Sequence, residues 1–435
     1  MDQKPKRVEK LSLGIQGFDE ISYGGLPKER MTIVSGTVGS GKTVFSTQFL
    51  ADGIMRAGEN GVFVTFEESP DEIRRNIASF GWDIGAWEAE GKWVFVDASP
   101  QPEETVITGT YNLSALLARI EHAIGKVNAK RIAMDSLGAI MAQLGDQVLV
   151  RRELLRVIAM FRSKNVTAVI TTERSEEYSS IAHYGIEEFV ADNVILLRNI
   201  SEEETRRRTI EILKFRGTTH QKREFPFGII PDEGIVIIPF STTPLTQKVS
   251  SHRITTGNGK LDAMCGGGIF SDALTLVSGP SGTGKTLITS QFMSANSNKE
   301  DRALFFAYEE SRDLLFRNAK AWGVDFEAAE KEGNLRVVCR YPEEVTMEDH
   351  LIAIKNAVNE FKPTKIALDS LSALERISSV RSYRIFVVGL TSFLKEKRIA
   401  ALFTNTSDTL LGGVTISEAR ISTLADNIVL LRYAE

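Results

Sequence analysis

"GFDEISYGGLPKERMTIVSGTVGSGKT", residues 17–43, and "KLDAMCGGGIFSDALTLVSGPSGTGKT", residues 260–286, are one pattern written twice at an offset of 260 − 17 = 243. Each copy sets a short apolar run, MTIVSG or LTLVSG, before a glycine-rich loop that opens onto a helical pattern. The echo continues: VFVTFEES at 62–69 answers LFFAYEES at 304–311, and RIAMDSLGAI from 131 answers KIALDSLSAL from 365. Short β-branched runs alternating with longer helical stretches predict a parallel sheet covered by helices, and the duplication predicts two such domains in tandem. A Ser-, Thr- and Pro-rich stretch, PFSTTPLTQKVSSHR at 239–253, interrupts the periodicity. The expected division is therefore a first domain at 1–240, a linker at 241–253 and a second domain at 254–435.

Bulk properties agree with that plan. A chain of 435 residues exceeds one ordinary core, and 42% hydrophobic with 25% charged residues is the composition of a globular protein. The net charge of −5 leaves no global footprint for nucleic acid. The local run TRRRT at 205–209 reads as a solvated strand end. Cys265 and Cys339 form no CxxC pair, and the polar start MDQKPKRVEK lacks an apolar signal core. No run approaches the roughly 18 apolar residues of a membrane span, so the expected compartment is the cytoplasm.

The two loops, Gly36–Thr43 and Gly279–Thr286, both satisfy G-x-x-x-x-G-K-[ST]. In such a loop the glycines let backbone N–H groups curl around phosphate oxygens at a helix N-terminus. The expected nucleotide-binding residues are Gly36, Thr37, Gly39, Ser40, Gly41 and Lys42, with Gly279, Ser281, Gly282, Thr283, Gly284 and Lys285. Thr43 and Thr286 are the expected magnesium ligands, joined by Asp135 and Asp369 at the ends of the IAMD and IALD strands. A helix-capping role competes for the two aspartates. FEES and YEES place Glu67 beside Glu68 and Glu309 beside Glu310, a pairing suited to activating a water or hydroxyl nucleophile. An acidic first helical turn is the plainer alternative. Lys214 and Arg216, two apart before a glycine turn, form a fork suited to a γ-phosphate, its own or a neighbouring subunit's, or else a solvated strand face.

After NVILLRN the first copy runs on into stretches that predict two or three antiparallel strands, whereas the second stops on its matching apolar strand, ISTLADNIVLLRYAE. A terminal strand of this kind is expected to be stable if central in its sheet, and the natural protein is expected to continue beyond it. Where the first copy has Glu188 and Phe189, the second has Ser422 and Thr423. Read from residues alone, those hydroxyls make local hydrogen bonds.

Taken together, GVFVTFEESPDEIRRN at 61–76, TTERSEEYSSIAHYGIEEFVADNVILLRN at 171–199, LKFRGTTH at 213–220, KLDAMCGGG at 260–268, FAYEES at 306–311, LDSLSALER at 368–376, LFTNTSDTLLGG at 402–413 and ISTLADNIVLL at 421–431 resemble the KaiC family of circadian-clock ATPases and autokinases. The resemblance covers the whole chain and implies an α/β fold of two tandem RecA-like P-loop domains. It also implies ATP with magnesium bound at the subunit interfaces of a homohexamer, and KaiA-like and KaiB-like partners. By resemblance Glu67 and Glu68 activate water in the first repeat, while Lys214, Arg216 and His220 reach across from a neighbour. Glu309 and Glu310 assist phosphoryl transfer in the second, Arg376 lies near its nucleotide, and Ser422 and Thr423 are phosphoacceptors. Ser417 and Glu418 replace the family's Thr-Asp, and the second repeat shows no counterpart of LKFRGTTH. Two other readings use the same P-loops: a non-oscillating signalling ATPase, and a RecA- or DnaB-like DNA motor, against which the acidic net charge stands.

Overall fold

A computed structural model describes residues 8–99, 113–138, 147–174, 176–178, 190–202, 205–239, 249–295, 301–406 and 423–433. Clustering of contacts divides the chain into two compact units, Met1–Pro239 and Phe240–Glu435.

In the first unit the strands are β1 (Met31–Gly36), β2 (Gly61–Thr65), β3 (Trp93–Asp97), β4 (Arg131–Asp135), β5 (Thr167–Glu173), β6 (Asn193–Glu202), β7 (Thr205–Phe215), β8 (Glu224–Ile230) and β9 (Gly234–Ile237). They form one sheet in the order β9-β8-β7-β6-β1-β5-β4-β2-β3. From β6 to β3 every pairing is parallel; β7, β8 and β9 add an antiparallel meander at one side. The anticipated extra strands therefore form.

Parallel strands buried on both faces read as continuous apolar runs, and β1 is buried along its whole length. Helices Leu113–Val127 and Gln147–Ser163 cover one face: Ile120, Ile124, Leu154 and Phe161 pack with Ile33, Val62 and Ile132 of the sheet. A bulge where β6 meets β7 leaves Leu213 between the pairs Val194 with Lys214 and Ile195 with Ile212. It turns Leu213 outward, so that Ile212 and Phe215 both stay buried at a spacing of three.

The second unit repeats the plan with β10 (Leu274–Gly279), β11 (Ala303–Ala307), β12 (Leu335–Cys339), β13 (Lys365–Asp369), β14 (Ala400–Thr406) and β15 (Asn427–Leu430). The order β12-β11-β13-β14-β10-β15 is that of the first unit's parallel segment, strand for strand. The condition of a central position is not met among the described residues: β15 lies at the edge of the sheet, against β10 alone. The cost shows in exposure. Ile428 and Leu430 are 41% and 42% exposed, whereas their counterparts Val194 and Leu196 on β6, flanked by β7, are 0% and 3%.

The shared ADN motif has a structural meaning in both units. Asn193 donates to Thr32 Oγ1 at 3.1 Å and Asn427 to Thr275 Oγ1 at 3.2 Å, so each Asn ties its strand to the P-loop strand. Asp192 pairs with Arg162 at 3.0 Å and Asp426 with Lys395 at 3.0 Å, each cation lying on the helix that precedes β5 or β14. Among the described residues no helix is long and apolar enough to cross a membrane.

Candidate functional site

Both glycine-rich loops leave the C-terminal end of an interior strand and enter a helix, α1 (Lys42–Asp52) or α2 (Lys285–Ser294). This is where an open parallel sheet presents its ligand crevice. Gly39 and Gly41 have φ of 73° and 90°, and Gly282 and Gly284 have φ of 80° and 92°, the left-handed region that a side chain disfavours. Inside each loop a hydroxyl bridges back to the second residue: Ser40 Oγ to Thr37 O, and Thr283 Oγ1 to Pro280 O, both at 2.8 Å. The lysine ammonium lies over the same turn. Lys42 Nζ donates to Gly36 O at 3.1 Å and Thr37 O at 3.0 Å, and Lys285 Nζ to Gly279 O and Pro280 O at 2.8 Å. Burial lowers the Lys285 pKa, an effect opposed by the charges of Asp369 and Glu309.

Asp135 ends β4 and Asp369 ends β13, beside the loops. Thr43 Oγ1 donates to Asp135 Oδ2 at 2.6 Å, and Thr171 on β5 donates to the other carboxylate oxygen. Asp369 receives hydrogen bonds from Thr404, on the matching strand, and from Thr286. Burial raises the Asp369 carboxyl pKa, while those two bonds and the Lys285 charge draw it back down. A hydroxyl and a carboxylate converging at the mouth of a phosphate loop fit magnesium, which keeps several waters and takes one or two protein oxygens.

The carboxylate pairs stand next to these aspartates. Ser136 donates to Glu67 Oε1 at 3.0 Å, and Ser370 donates to Glu309 Oε2 at 3.0 Å. Glu68 accepts from Asn76 at 2.9 Å. Glu310 differs: its Oε2 is buried without a hydrogen-bond partner among the described residues. Its carboxyl pKa is raised, first by burial and then by the neighbouring charges of Asp369 and Glu309. Neither pair is an ordinary acidic helical turn, because Ser69 and Ser311 cap the following helices in that role.

Three expected nucleotide contacts lie elsewhere in their own unit. Lys214 donates to Ala191 O at 3.0 Å and Arg216 pairs with Asp192 at 3.5 Å. His220 Nδ1 lies 3.1 Å from Gln221 O, with its ring edge-on to Phe215. Through Val194, Lys214 is in register with Ile33, three residues before Gly36, so it lies roughly 10 Å back along the sheet from its own loop. Arg376 pairs with Glu309 and so joins the carboxylate pair of the second unit. Thr423 is exposed just before β15; Ser422, Glu188 and Phe189 lie outside the described residues.

Four residues at the loops had no role in the sequence reading. Glu177 accepts from Thr37 Oγ1 at 2.6 Å and from Asn199 N at 3.1 Å. Asn199 donates to Val38 O at 3.3 Å, and Arg208 Nε donates to Gly39 O at 3.1 Å. In the second unit Tyr433 donates to Ser281 O at 2.7 Å. The run TRRRT is therefore not simply a solvated strand end: Arg207 is 7% exposed and Arg208 holds the loop. The signal was present in the residues that follow LLR in each copy, but only strand order brings them onto a loop more than 150 residues away in sequence.

Comparison with known proteins agrees with this geometry. The model of the KaiC ATPase family matches residues 11–242 and 254–435. A circadian clock protein KaiC3 of Synechocystis sp. is 57% identical over 436 residues, covering all of this chain and 86% of the relative. The circadian clock oscillator proteins KaiC of Prochlorococcus marinus strain MIT 9313 and of Synechococcus elongatus are 50% and 51% identical, over 99% and 98% of this chain and 86% and 82% of theirs. Two P-loops, each with its aspartate and its carboxylate pair on the same strand order, and a family match in each repeat, place the chain in the KaiC ATPase family.

Proposed function

We propose that this chain is a timing ATPase of the KaiC type, in which both repeats bind ATP with magnesium and the second also phosphorylates its own chain. The observation that carries the reading is the convergence of Thr43 on Asp135, and of Thr286 on Asp369, beside Lys42 and Lys285. Magnesium held by these oxygens would neutralise charge developing on the phosphates. In the first repeat Glu67 and Glu68 orient and deprotonate water. In the second, a hydroxyl oxygen of Ser422 or Thr423 bonds to the γ-phosphorus as the bond to the bridging oxygen breaks, ADP leaves, and Glu310 takes the hydroxyl proton. A carboxyl with a raised pKa and an open buried oxygen suits a proton acceptor.

Lys214, Arg216 and His220 serve the nucleotide of a neighbouring copy in a homohexamer. The registered position of Lys214, away from its own loop, supports this assignment, as do the partners of Arg216 and His220 outside that loop. The clock role is proposed on the strength of the relatives' names, and a cytoplasmic setting with partners of KaiA and KaiB type on the sequence reading above.

The test uses the tryptic fragment ISTLADNIVLLR, residues 421–432. Incubation of the full chain with magnesium and ATP should place phosphate on it, as read by mass spectrometry, and Lys285→Ala should abolish that phosphate. Phosphate that persists in Lys285→Ala would take the second P-loop out of the phosphorylation, and an unmodified fragment while ATP is consumed would leave an ATPase without autokinase chemistry.

A further inference from the structure

We infer that the residue following LLR in each repeat, Asn199 or Tyr433, is a positioning residue that sets the ATP affinity of its own P-loop from outside the nucleotide motif. The inference rests on the P-loop reading above. Its geometry is a repeat-to-repeat identity between two chemically different side chains. Asn199 donates to Val38 O and Tyr433 to Ser281 O, and Val38 and Ser281 are both the third residue of their loops. Both donors also sit over the fourth residue. A Cβ on Gly39 would lie 3.0 Å from Asn199 Nδ2, and one on Gly282 would lie 2.7 Å from the Tyr433 hydroxyl. An amide and a phenol thus reach the same carbonyl from the same strand position, so the contact is a feature of the duplicated design.

The carbonyl matters because the loop works by turning its N–H groups inward. A donor fixed on the outward carbonyl of the third residue holds that peptide plane, and hence the N–H of the following glycine, in the phosphate-facing orientation. Among the described residues the two loops are held by different sets of contacts. In the first, three consecutive loop residues are held from outside: Thr37 by Glu177, Val38 by Asn199 and Gly39 by Arg208. In the second, Pro280 replaces Thr37 and has no hydroxyl to give, and among the described residues Tyr433 makes the corresponding bond to the loop tip. Tyr433 is 51% exposed. Losing the Tyr433 bond therefore acts on ATP binding in ground state and transition state alike. That predicts a change in affinity and KM with kcat unchanged.

The experiment uses the full chain carrying Lys42→Ala, so that the second repeat is read alone, and titrates it with the β,γ-imido analogue of ATP by calorimetry. Tyr433→Phe keeps the ring and removes the donor; the expected result is about two- to tenfold weaker binding, the range for one lost hydrogen bond. Tyr433→Asn installs the first repeat's donor and should restore affinity to within about twofold, with kcat for ATP the same in all three chains. Affinity unchanged in Tyr433→Phe, or Tyr433→Asn as weak as Tyr433→Phe, would overturn the assignment. A Lys42→Ala parent that takes up no analogue would instead sink the P-loop reading of the second repeat, and the inference with it.

Discussion

Replacing Glu310 with Gln should lower the rate of the second repeat and raise its stability, because the same buried oxygen governs both. The substitution keeps the shape of the side chain and removes its charge. Loss of a positioned general base costs about 10²- to 10⁴-fold in rate, or roughly 3 to 5 kcal/mol of barrier. The stability change has the opposite sign. In wild type the carboxyl group has a buried oxygen without a hydrogen-bond partner among the described residues and faces the charges of Asp369 and Glu309. An amide in its place can donate to those carboxylates, so a gain of about 1 kcal/mol is expected at neutral pH, or about 2–4 °C in Tm for a unit of this size. The pH dependence follows from the raised pKa. As pH rises, the unfolded chain releases this proton first, so wild-type stability falls from the ordinary glutamate range up through the folded value and then levels. Glu310→Gln should lack that fall, and its advantage should vanish in acid. The assays are phosphate incorporation into residues 421–432 and thermal unfolding at acid and neutral pH. Wild-type incorporation, or a lower Tm than wild type at neutral pH, would refute the assignment of Glu310 as a strained base.

Thr43→Val removes the hydroxyl that meets Asp135 while keeping the branched shape; magnesium should be needed at about 10- to 100-fold higher concentration for first-repeat turnover, as read by titration of ATPase activity. Arg131→Met leaves the buried Asp52 without its 3.3 Å partner and should cost about 3–5 kcal/mol in urea unfolding, much of it recovered by adding Asp52→Asn. Lys365 is buried, and its pKa is lowered to about 8 by that burial. A lowered cation favours the folded state as pH rises, so stability should increase between about pH 8 and the ordinary lysine range. Lys365→Met should flatten that rise and gain up to about 3 kcal/mol at pH 7. Arg208→Ala should raise the first repeat's KM for ATP about two- to tenfold with kcat held, measured in a Lys285→Ala chain.

Much of the site was legible in one dimension because its parts are local. A P-loop needs eight consecutive residues, and its strand before and helix after are read from the same window, so Gly36–Thr43 and Gly279–Thr286 fall where their spacing predicts. Asp135 and Asp369 were likewise readable as the polar ends of apolar runs. The fork of Lys214 and Arg216 was readable as a pair of cations but not as to where it points. Only the pairing of β7 with β6 shows it to lie toward the start of β1, away from the loop.

The duplication by itself determined the fold class and the chemistry at each loop, because repetition at matching spacing is visible without coordinates and the loop's backbone requirements are written in glycine. Tertiary structure decided what surrounds each loop. Strand order sets β6 beside β1 and β15 beside β10, and this brings Asn199 and Tyr433 onto loop carbonyls more than 150 residues earlier in the chain. It also gives Asp52 its buried cation and leaves the Glu310 oxygen without a hydrogen bond among the described residues. Such contacts depend on sheet neighbours and on exclusion of water, and neither is recorded in the order of residues along one chain.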